Sequence, residues 1–280
     1  MMRIGAHQST AGGLVAAIDR VVAIGGNCLQ IFSSAPQQWK PLQRPQSEYA
    51  AFRNACSTRD IAPVVIHAKY LINLGTDDAF LLSKSVASVI DDMMVAHHIG
   101  AIGVIVHFGS NPHRWVGPNR KRYIAMMHQI LKETPDDVSF LFENSAGGGN
   151  TIGTTLEELS AIAADFPMSR VGFCIDTCHA FAMGYDFRTS ESVNRFIREV
   201  DTKVGWHRVK VIHANDAKEP LGSHRDRHEN IGKGHIGYAG FTALINQPKL
   251  QGISWILEVP GTDRSGPDKE NIDRLKNMLG

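Results

Sequence analysis

Seven short apolar runs in this chain each end in a side chain that can bind a metal ion. An apolar run bounded by turn residues predicts a buried parallel strand. Helical patterns separate the runs, and strands that alternate with helices predict parallel βαβ units. The residues that end the runs are His7, His67, His107, Glu143, Asp176, His213 and Glu258. Since strand ends converge on one face of a parallel barrel, these seven side chains predict one shared site.

The complete pattern is a strand followed by a helix, repeated eight times. The strands are expected near 3–7, 29–33, 63–67, 102–107, 138–143, 171–176, 207–213 and 252–258. The helices are expected near 13–24, 46–58, 78–98, 117–132, 155–165, 190–203, 238–246 and 268–279. Eight such units predict the α/β class and a (β/α)8 TIM barrel, with its active site at the C-terminal face of the strands. The length of 280 residues suits one such domain spanning residues 1–280.

Composition excludes several classes of protein. Apolar residues make up 43% of the chain, which is enough for a large core, and no run approaches the roughly 20 apolar residues of a membrane span. The first residues lack an apolar signal core, so we expect a cytoplasmic protein without a membrane partner. Four cysteines are too few for a disulfide scaffold in a chain of this length. Net charge is +1, so a DNA-binding function would need localised positive potential, for example from metal ions.

Charged and polar groups gathered in one barrel mouth lose their contacts with water and need partners that stabilise their charge. A bound metal ion is the simplest such partner. Mixed imidazole and carboxylate ligands favour zinc over magnesium, which prefers oxygen ligands. Manganese or iron is the alternative at some of the sites. Cys174 and Cys178 flank Asp176 and could suggest zinc, but small buried thiols are the better interpretation, because a second cysteine pair is missing.

Two short motifs add further ligand candidates. In the first, His179 follows Asp176 by three residues, an arrangement that can serve one metal or two neighbouring metals. The alternative is an Asp that caps a helix and a His on the surface. In the second, Asp226 and His228 lie on the same side of an extended segment. The alternative there is a solvated charge run, although flanking glycines and apolar Ile231 indicate a fixed loop.

Glu143 and His7 each have more than one interpretation. Glu143 precedes a glycine-rich loop, and a carboxylate at the barrel centre can bridge two metals. It could instead be a general base that acts without metal. His7 could orient a ligand, contact a phosphate or be a core histidine satisfied by its neighbours.

Residues of the loops after the strands could contact nucleic acid. Tyr70 follows His67 by three residues and could stack on a base or only pack at the barrel rim. Trp39 and Trp115 have the same two interpretations, and rim packing is favoured for each. A basic cluster could contact phosphates or begin a solvated helix; its members are Arg114, Arg120, Lys121 and Arg122.

Three motifs together resemble the endonuclease IV family of apurinic/apyrimidinic (AP) endonucleases. They are Ile4-Gly5-Ala6-His7 with Gly12-Gly13, the segment from Gly172 through Asp176-Thr177-Cys178-His179 to Asp186, and the segment from His213 through Asp226-Arg227-His228 to Gly237. The resemblance runs from end to end of the chain. It implies a barrel with three Zn²⁺ ions that cuts double-stranded DNA 5′ to an abasic site, leaves a 3′-hydroxyl and removes 3′-blocking groups. It also implies a monomer.

The same resemblance implies the metal ligands. One zinc would be held by His67, His107 and Glu143, and the third by His179, Asp226 and His228. The second zinc would be held by Glu143, Asp176, His213 and Glu258, with Glu143 as the bridge.

The resemblance also implies a DNA-binding role for residues at the mouth, with Tyr70 and Leu71 entering the duplex near the lesion. We place His7 and Gln37 among the DNA-binding residues as well. Gln37 stands where some members have an arginine that enters the base stack, and Ala68-Lys69 is an unusual pair before Tyr70.

Two other functions are compatible with parts of the sequence. A divalent-metal sugar isomerase or epimerase of the same barrel class would account for Glu143, Asp176, His213 and Glu258. It would leave His67, His107 and the pair Asp226/His228 without a role. A non-catalytic, metal-dependent DNA-binding module is the second alternative, and the complete set of ligands argues against it.

Overall fold

A computed structural model describes residues 2–280 of the chain. The strands within this range are β1 (Ile4–His7), β2 (Leu29–Phe32), β3 (Val64–His67), β4 (Gly103–Val106), β5 (Ser139–Glu143), β6 (Val171–Asp176), β7 (Val209–His213), β8 (Asp216–Ala217), β9 (His228–Glu229) and β10 (Ser254–Leu257). Eight of them form a closed parallel barrel in the order β1-β10-β7-β6-β5-β4-β3-β2. The short strands β8 and β9 pair with each other in antiparallel orientation. The predicted (β/α)8 barrel is confirmed.

Helices fill the connections between barrel strands. Within the described range they are α1 (Leu14–Ala23), α2 (Gln46–Thr58), α3 (Ala79–Ile99), α4 (Gly117–Lys132), α5 (Leu156–Asp165), α6 (Thr177–Ala182), α7 (Ser190–Lys203), α8 (Gly237–Ile245) and α9 (Lys269–Lys276). Eight of these match the helices expected from the sequence within about three residues at each end. Helix α6 and the β8–β9 pair were not predicted, because elements of six and two residues carry no readable periodicity.

Alternation of side chains along each strand positions the site. One buried layer fills the barrel interior and consists of Cys28, Val65, Ile105, Leu141, Cys174, Val211 and Ile256. A strand returns to the same face every second residue, so the residue two positions further on also points into the barrel. For six of the seven, that residue is one of the expected metal ligands, for example His67 after Val65. For Cys28 it is Gln30.

Strand β1 contributes a glycine to this level of the barrel. A Cβ atom at Gly5 would lie only 1.8 Å from the carbonyl oxygen of Cys28, so the close approach of the chains requires glycine here. His7 follows two residues later and lies at the same mouth as the other strand-end groups. Within the part of the chain that the structure describes, we find no helix with the length and apolar character needed to cross a membrane.

Candidate metal centre

The C-terminal ends of the barrel strands surround an open cavity of about 1020 Å³. One wall carries imidazole and carboxylate groups from the strand ends and the loops behind them. Arg20, Arg44 and Arg264 also line the cavity, and Arg44 is paired with Glu48 at 3.2 Å. The cavity is lined, among others, by His7, Phe32, His67, Tyr70, His107, His179, Asp226, His228 and Glu258.

The first ligand group joins β3, β4 and β5. His67 Nε2 and His107 Nε2 lie 3.3 Å and 3.2 Å from the same carboxylate oxygen, Glu143 Oε2. That oxygen is buried and has no hydrogen-bond partner among residues 2–280. A buried carboxylate oxygen without a partner is costly, and a cation between the three side chains would satisfy it.

The second group uses the other oxygen of the same carboxylate. His213 Nδ1 lies 2.8 Å from Glu143 Oε1, 3.4 Å from Glu258 Oε2 and 3.9 Å from Asp176 Oδ2. Potential ligand atoms of these four residues lie within 4.8 Å of one another. Glu143 therefore faces two ligand groups, one with each oxygen.

The third group lies where α6 and the β8–β9 hairpin meet. His179 Nε2 and His228 Nε2 are 3.2 Å and 3.1 Å from the two oxygens of Asp226. Both nitrogens are buried and lack a hydrogen-bond partner within the described residues. Two inward-facing imidazole nitrogens beside one carboxylate make a suitable metal site.

Asp176 has both of the roles that were considered for it. Its Oδ1 accepts a hydrogen bond from the backbone N–H of His179 and caps the N-terminus of α6. Its Oδ2 accepts from Asn215 at 2.6 Å and faces His228 Nε2 at 3.7 Å. His179, however, is buried, so the interpretation of this histidine as a surface residue is wrong.

The loop that carries Asp226 and His228 is fixed. The backbone N–H of Lys218 donates to the carbonyl of Arg227 across the hairpin, and Ile231 is fully buried. The buried carboxylate of Asp216 accepts hydrogen bonds from backbone N–H groups further along the same loop, at Gly234, Ile236 and Gly237. These hydrogen bonds agree with the interpretation as a fixed loop, and the charged side chains of Arg225, Asp226 and Arg227 on it are exposed.

Backbone carbonyls select the free nitrogen of three of these histidines. Nδ1 of His67 donates to the carbonyl of Ala68 at 2.7 Å, and Nδ1 of His179 donates to that of Asn144 at 2.9 Å. Nδ1 of His228 donates to the carbonyl of Glu258 at 3.3 Å. Because Nδ1 is occupied as a donor, Nε2 is the nitrogen that would bind a metal, which is the usual arrangement around a metal-binding histidine.

Glu143 and Glu258, two carboxylates of the centre, have lowered pKa values. Burial would raise the pKa of Glu143, but the imidazoles of His107 and His213 lower it well below its usual range. Burial likewise opposes ionisation of Glu258, yet His213 and His67 lower its pKa to about 2. The centre thus concentrates negative charge that a cation would stabilise.

Without a metal, protons supply the compensating charge. Burial works against the imidazolium forms, but Asp176 and Asp226 raise the pKa of His179 to about 10. The pKa of His228 rises to about 9 despite burial, chiefly through its contact with Asp226. Both rings are therefore protonated at pH 7 in the metal-free protein, and a bound metal would displace these protons. The orphaned polar atoms, the donor types and the charge all fit divalent metal ions.

The two cysteines near the site are buried thiols. Burial raises the pKa of Cys174 to about 12 and also raises that of Cys178. A thiol with so high a pKa is protonated at neutral pH and is a poor ligand in that form. The geometry agrees with the interpretation of Cys174 and Cys178 as small buried residues.

The residues expected to contact DNA occupy different positions at the mouth. Tyr70 is 67% exposed, and its ring centroid lies 5.2 Å from that of Phe32 and 6.2 Å from that of His67. His7 lies in the cavity wall, and burial lowers its pKa to about 4, so the ring is neutral. Leu71 is half-buried beside Tyr70, and Gln37 is exposed on the loop after β2.

The basic cluster before α4 pairs largely with acids of this chain. Arg114 contacts Glu158 at 2.6 Å, and Arg120 contacts Asp165 at 2.6 Å. Arg122 similarly contacts Asp77 at 2.8 Å, while Lys121 is exposed. These arginines fix the loop after β4, so the pairs favour a structural role over phosphate contact.

The two tryptophans considered for nucleic-acid contact both pack against the protein. Trp115 is buried against Phe108 and Phe142, and its indole N–H donates to Asp165 at 2.9 Å. Trp39 is partly buried and packs on the core. Rim packing, the favoured interpretation for each, agrees with these contacts.

Polar residues that sequence reasoning missed hold the ligands in place. Asn215 donates to Asp176 and accepts from the backbone N–H of Glu258 at 2.8 Å. Asn144 accepts from the backbone N–H of Asp176 at 2.6 Å and donates to its carbonyl at 3.1 Å. Gln30 is fully buried among His7, His213 and Glu258. A polar residue inside the apolar run of β2 was the signal that could have revealed Gln30.

Comparisons with known proteins agree with this fold and show the family. A family model described as a xylose isomerase-like TIM barrel matches residues 18–278. A protein of Methanoculleus marisnigri named "Probable endonuclease 4" is 36% identical over 282 residues, with 100% of both chains covered. The crystal structure of endonuclease IV from Thermus thermophilus is 35% identical, with a TM-score of 0.88 over 99% of this chain and 98% of that one. A D-tagatose 3-epimerase-like protein has a TM-score of 0.70 at 17% identity over 99% of this chain and 95% of its own, which shows likeness of fold alone.

Proposed function

The chain belongs to the endonuclease IV family of hydrolases, and we propose that it is a zinc-dependent DNA-repair endonuclease of 280 residues acting as one domain. It hydrolyses the phosphodiester 5′ to an abasic site, leaves a 3′-hydroxyl, and also removes 3′-blocking groups. It acts as a monomer, the state that the family resemblance implies. A DNA substrate agrees with the cytoplasmic location expected from the sequence.

One observation carries this proposal: Glu143 faces two ligand groups, and a third group lies beside them. The ring centroids of His107 and His179 are 5.4 Å apart, so the first and third groups are neighbours along one wall. Three adjacent cation sites suit a phosphodiester, whose non-bridging and departing oxygens all carry or develop negative charge. We propose Zn²⁺ at all three, with manganese or iron as the alternative at some sites.

Bound metal ions would supply Lewis acidity, which lowers the pKa of a water molecule and neutralises charge on the phosphate. The residues of this chain provide the rest. Glu143 would contribute one oxygen to each of two metal sites, and its negative charge would orient the nucleophile. Asp226, whose side chain is 56% exposed, brings the third group to the open side of the cavity, where the phosphate arrives.

Positive side chains in the cavity lining support a DNA substrate. Arg20 and Arg264 line the cavity without an acidic partner among residues 2–280, although the chain as a whole has a net charge of only +1. Localised positive charge of this kind attracts a phosphate backbone. An abasic nucleotide lacks pairing and stacking, so it enters such a cavity at low cost.

The sugar isomerase alternative accounts for less of the structure. Glu143, Asp176, His213 and Glu258 would be enough for a single-metal sugar enzyme. The groups around His67 and around Asp226 would then be unused, yet both present buried atoms without hydrogen-bond partners. A non-catalytic module would not need the complete set of ligands either.

A panel of substrates tests the proposed function. We expect the zinc-loaded protein to nick a duplex that contains one abasic site and to leave an end that a DNA polymerase extends, because that end carries a 3′-hydroxyl. We expect a duplex with a 3′-phosphate to become extendable as well, and ketoses to remain unchanged. Gel analysis of the nicked strand and sugar chromatography provide the measurements. Epimerisation of a ketose without nicking would support the isomerase alternative instead.

Replacing Tyr70 by alanine should weaken discrimination between abasic and intact duplex more than it slows cleavage of bound substrate. An exposed ring beside the ligand wall can replace stacking that the missing base no longer provides, an effect of about 1–3 kcal/mol. Affinities for matched abasic and intact duplexes measure this effect, and melting temperature reports on stability.

Tyr238, a half-exposed tyrosine on α8, provides the matched control, and Tyr238→Ala should leave discrimination unchanged. If Tyr70 only packs at the rim, Tyr70→Ala will lower the melting temperature and keep its selectivity. That result would make Leu71 or the loop around Gln37 the better candidate for the contact.

A further inference from the structure

Gln30 lies on β2 at the level of the ligands, and its side chain is fully buried. Its amide nitrogen lies 2.6 Å from Glu258 Oε1 and 2.9 Å from His7 Nδ1. Its amide oxygen lies 2.8 Å from His213 Nε2. One neutral side chain thus contacts two residues of the second ligand group.

The contact with Glu258 fixes the orientation of the amide. A carboxylate can only accept hydrogen bonds, so the group of Gln30 that lies 2.6 Å from it must be the NH₂ donor. The carbonyl oxygen of Gln30 must then face His213. Because an amide oxygen accepts only, His213 Nε2 must carry the proton that forms this bond.

Nδ1 is then the nitrogen of His213 that faces the ligand group. In the metal-free protein it also donates to Glu143 Oε1, because a carboxylate only accepts, and a bound metal would displace that proton. Nδ1 is the atom that lies among the carboxylates, 2.8 Å from Glu143 Oε1 and 3.4 Å from Glu258 Oε2. For His67, His179 and His228 a backbone carbonyl fixes the proton on the outer nitrogen. For His213, Gln30 is the residue that does so.

We propose that Gln30 is a positioning residue that presents His213 Nδ1 and Glu258 Oε2 to the second metal ion. The inference rests on the proposed function, because that function requires a metal at this group. Gln30 binds Oε1 of Glu258, which leaves Oε2 directed towards His213. It also binds Nε2 of His213, which leaves Nδ1 directed towards Glu258. Partners of this kind typically change metal affinity 10–100-fold when they are removed.

The same amide also acts on His7. Because Gln30 donates to His7 Nδ1, that nitrogen accepts, and the proton of the neutral His7 ring belongs on Nε2. His7 then has an N–H donor available at the cavity wall. Gln30 therefore holds both histidines in the Nε2–H tautomer, accepting from His213 and donating to His7.

Two variants of Gln30 separate its two contacts. Gln30→Met keeps the approximate volume and removes both hydrogen bonds. Gln30→Glu keeps an acceptor for His213 and places a like charge beside Glu258. Ile31→Met is the matched control, since Ile31 is equally buried on the same strand but points to the outer core.

Zinc content is measured after dialysis against a chelator at a concentration that leaves three ions in the wild type. We expect Gln30→Met and Gln30→Glu to keep about two ions and to bind the lost one 10–100-fold more weakly. Ile31→Met should keep the wild-type content. Nuclear magnetic resonance of the zinc-loaded proteins should show a slowly exchanging imidazole N–H of His213 in the wild type and Gln30→Glu, and lose it in Gln30→Met.

These results distinguish failure of the inference from failure of the proposed function. A wild type that binds zinc and nicks abasic DNA, beside variants with unchanged zinc content and an unchanged His213 signal, would overturn the role of Gln30 alone. A wild type that binds no zinc would overturn the proposed function itself. If Gln30→Met does not fold, loss of one ion from Gln30→Glu supports the inference and retention of all three contradicts it.

Discussion

Replacing Glu143 by glutamine should lower the rate of cleavage at an abasic site by roughly 10³-fold or more, the scale seen when an essential group of a reaction is removed. Oε1 of Glu143 faces His213 at 2.8 Å, and Oε2 faces His67 at 3.3 Å and His107 at 3.2 Å. An amide has one oxygen, no charge and an NH₂ group that would point at one of these two groups of imidazoles. It therefore cannot hold cations at both groups.

Binding of abasic DNA by Glu143→Gln should remain close to that of the wild type. Glu143 is buried among the histidines, and Arg20 and Arg264, which also line the cavity, are unaffected. Single-turnover cleavage and equilibrium binding of one abasic duplex separate the two effects. Glu191→Gln, which alters a carboxylate on the outer helix α7, is the control and should leave both quantities unchanged. Turnover near the wild-type rate in Glu143→Gln would remove Glu143 from the mechanism.

Periodicity predicted the barrel because each strand brings its own local signal. Runs such as Val64-Val65-Ile66 are apolar and end in a side chain that can bind a metal, here His67. The helices between them, such as α2, repeat apolar residues at helical spacing. The alternation rule then places His67 on the interior face two residues after Val65. Whether a strand-end residue lies at the barrel mouth can therefore be predicted from the sequence of its own strand.

Which ligands share one metal site depends on contacts between residues far apart in the sequence. Whether Glu143 faces His107 or His213 depends on the register of three strands and the stagger of the barrel, which no local pattern records. The resemblance to a family implied the groups, and the structure brings the same residues together. His179 and Asp226 were harder to place, because they lie on α6 and on a hairpin loop, where no strand end marks the position.

Sequence patterns also could not tell which polar residues are already paired. Arg114 and Arg120 have the charge of a phosphate-binding cluster, but Glu158 and Asp165, more than forty residues further along the chain, occupy their guanidinium groups. Gln30 illustrates the opposite case. It lies inside an apolar run without charge, and only its buried contacts identify it as a partner of the ligands.

Removing the metal ions should abolish cleavage, and the pH should control how readily they leave. In the metal-free protein the pKa of His179 is raised to about 10 and that of His228 to about 9, so both rings bind protons at neutral pH. Protons compete with metal below these values, and the competition strengthens as the pH falls. At equal free Zn²⁺ concentration, set by a chelator buffer corrected for its own protonation, the protein should therefore retain less metal at pH 6 than at pH 8.5.

The most direct test of the account combines ion content with cleavage of a duplex that contains one tetrahydrofuran abasic analogue. Elemental analysis of the untreated protein should find three ions per chain, mainly zinc. After chelation and removal of the chelator, cleavage should fall by about 10³-fold or more and should return when zinc is added back. Fewer than three ions in a fully active preparation would contradict the trinuclear assignment. Cleavage at the untreated rate by protein shown to be free of metal would contradict the proposed metal-dependent endonuclease itself.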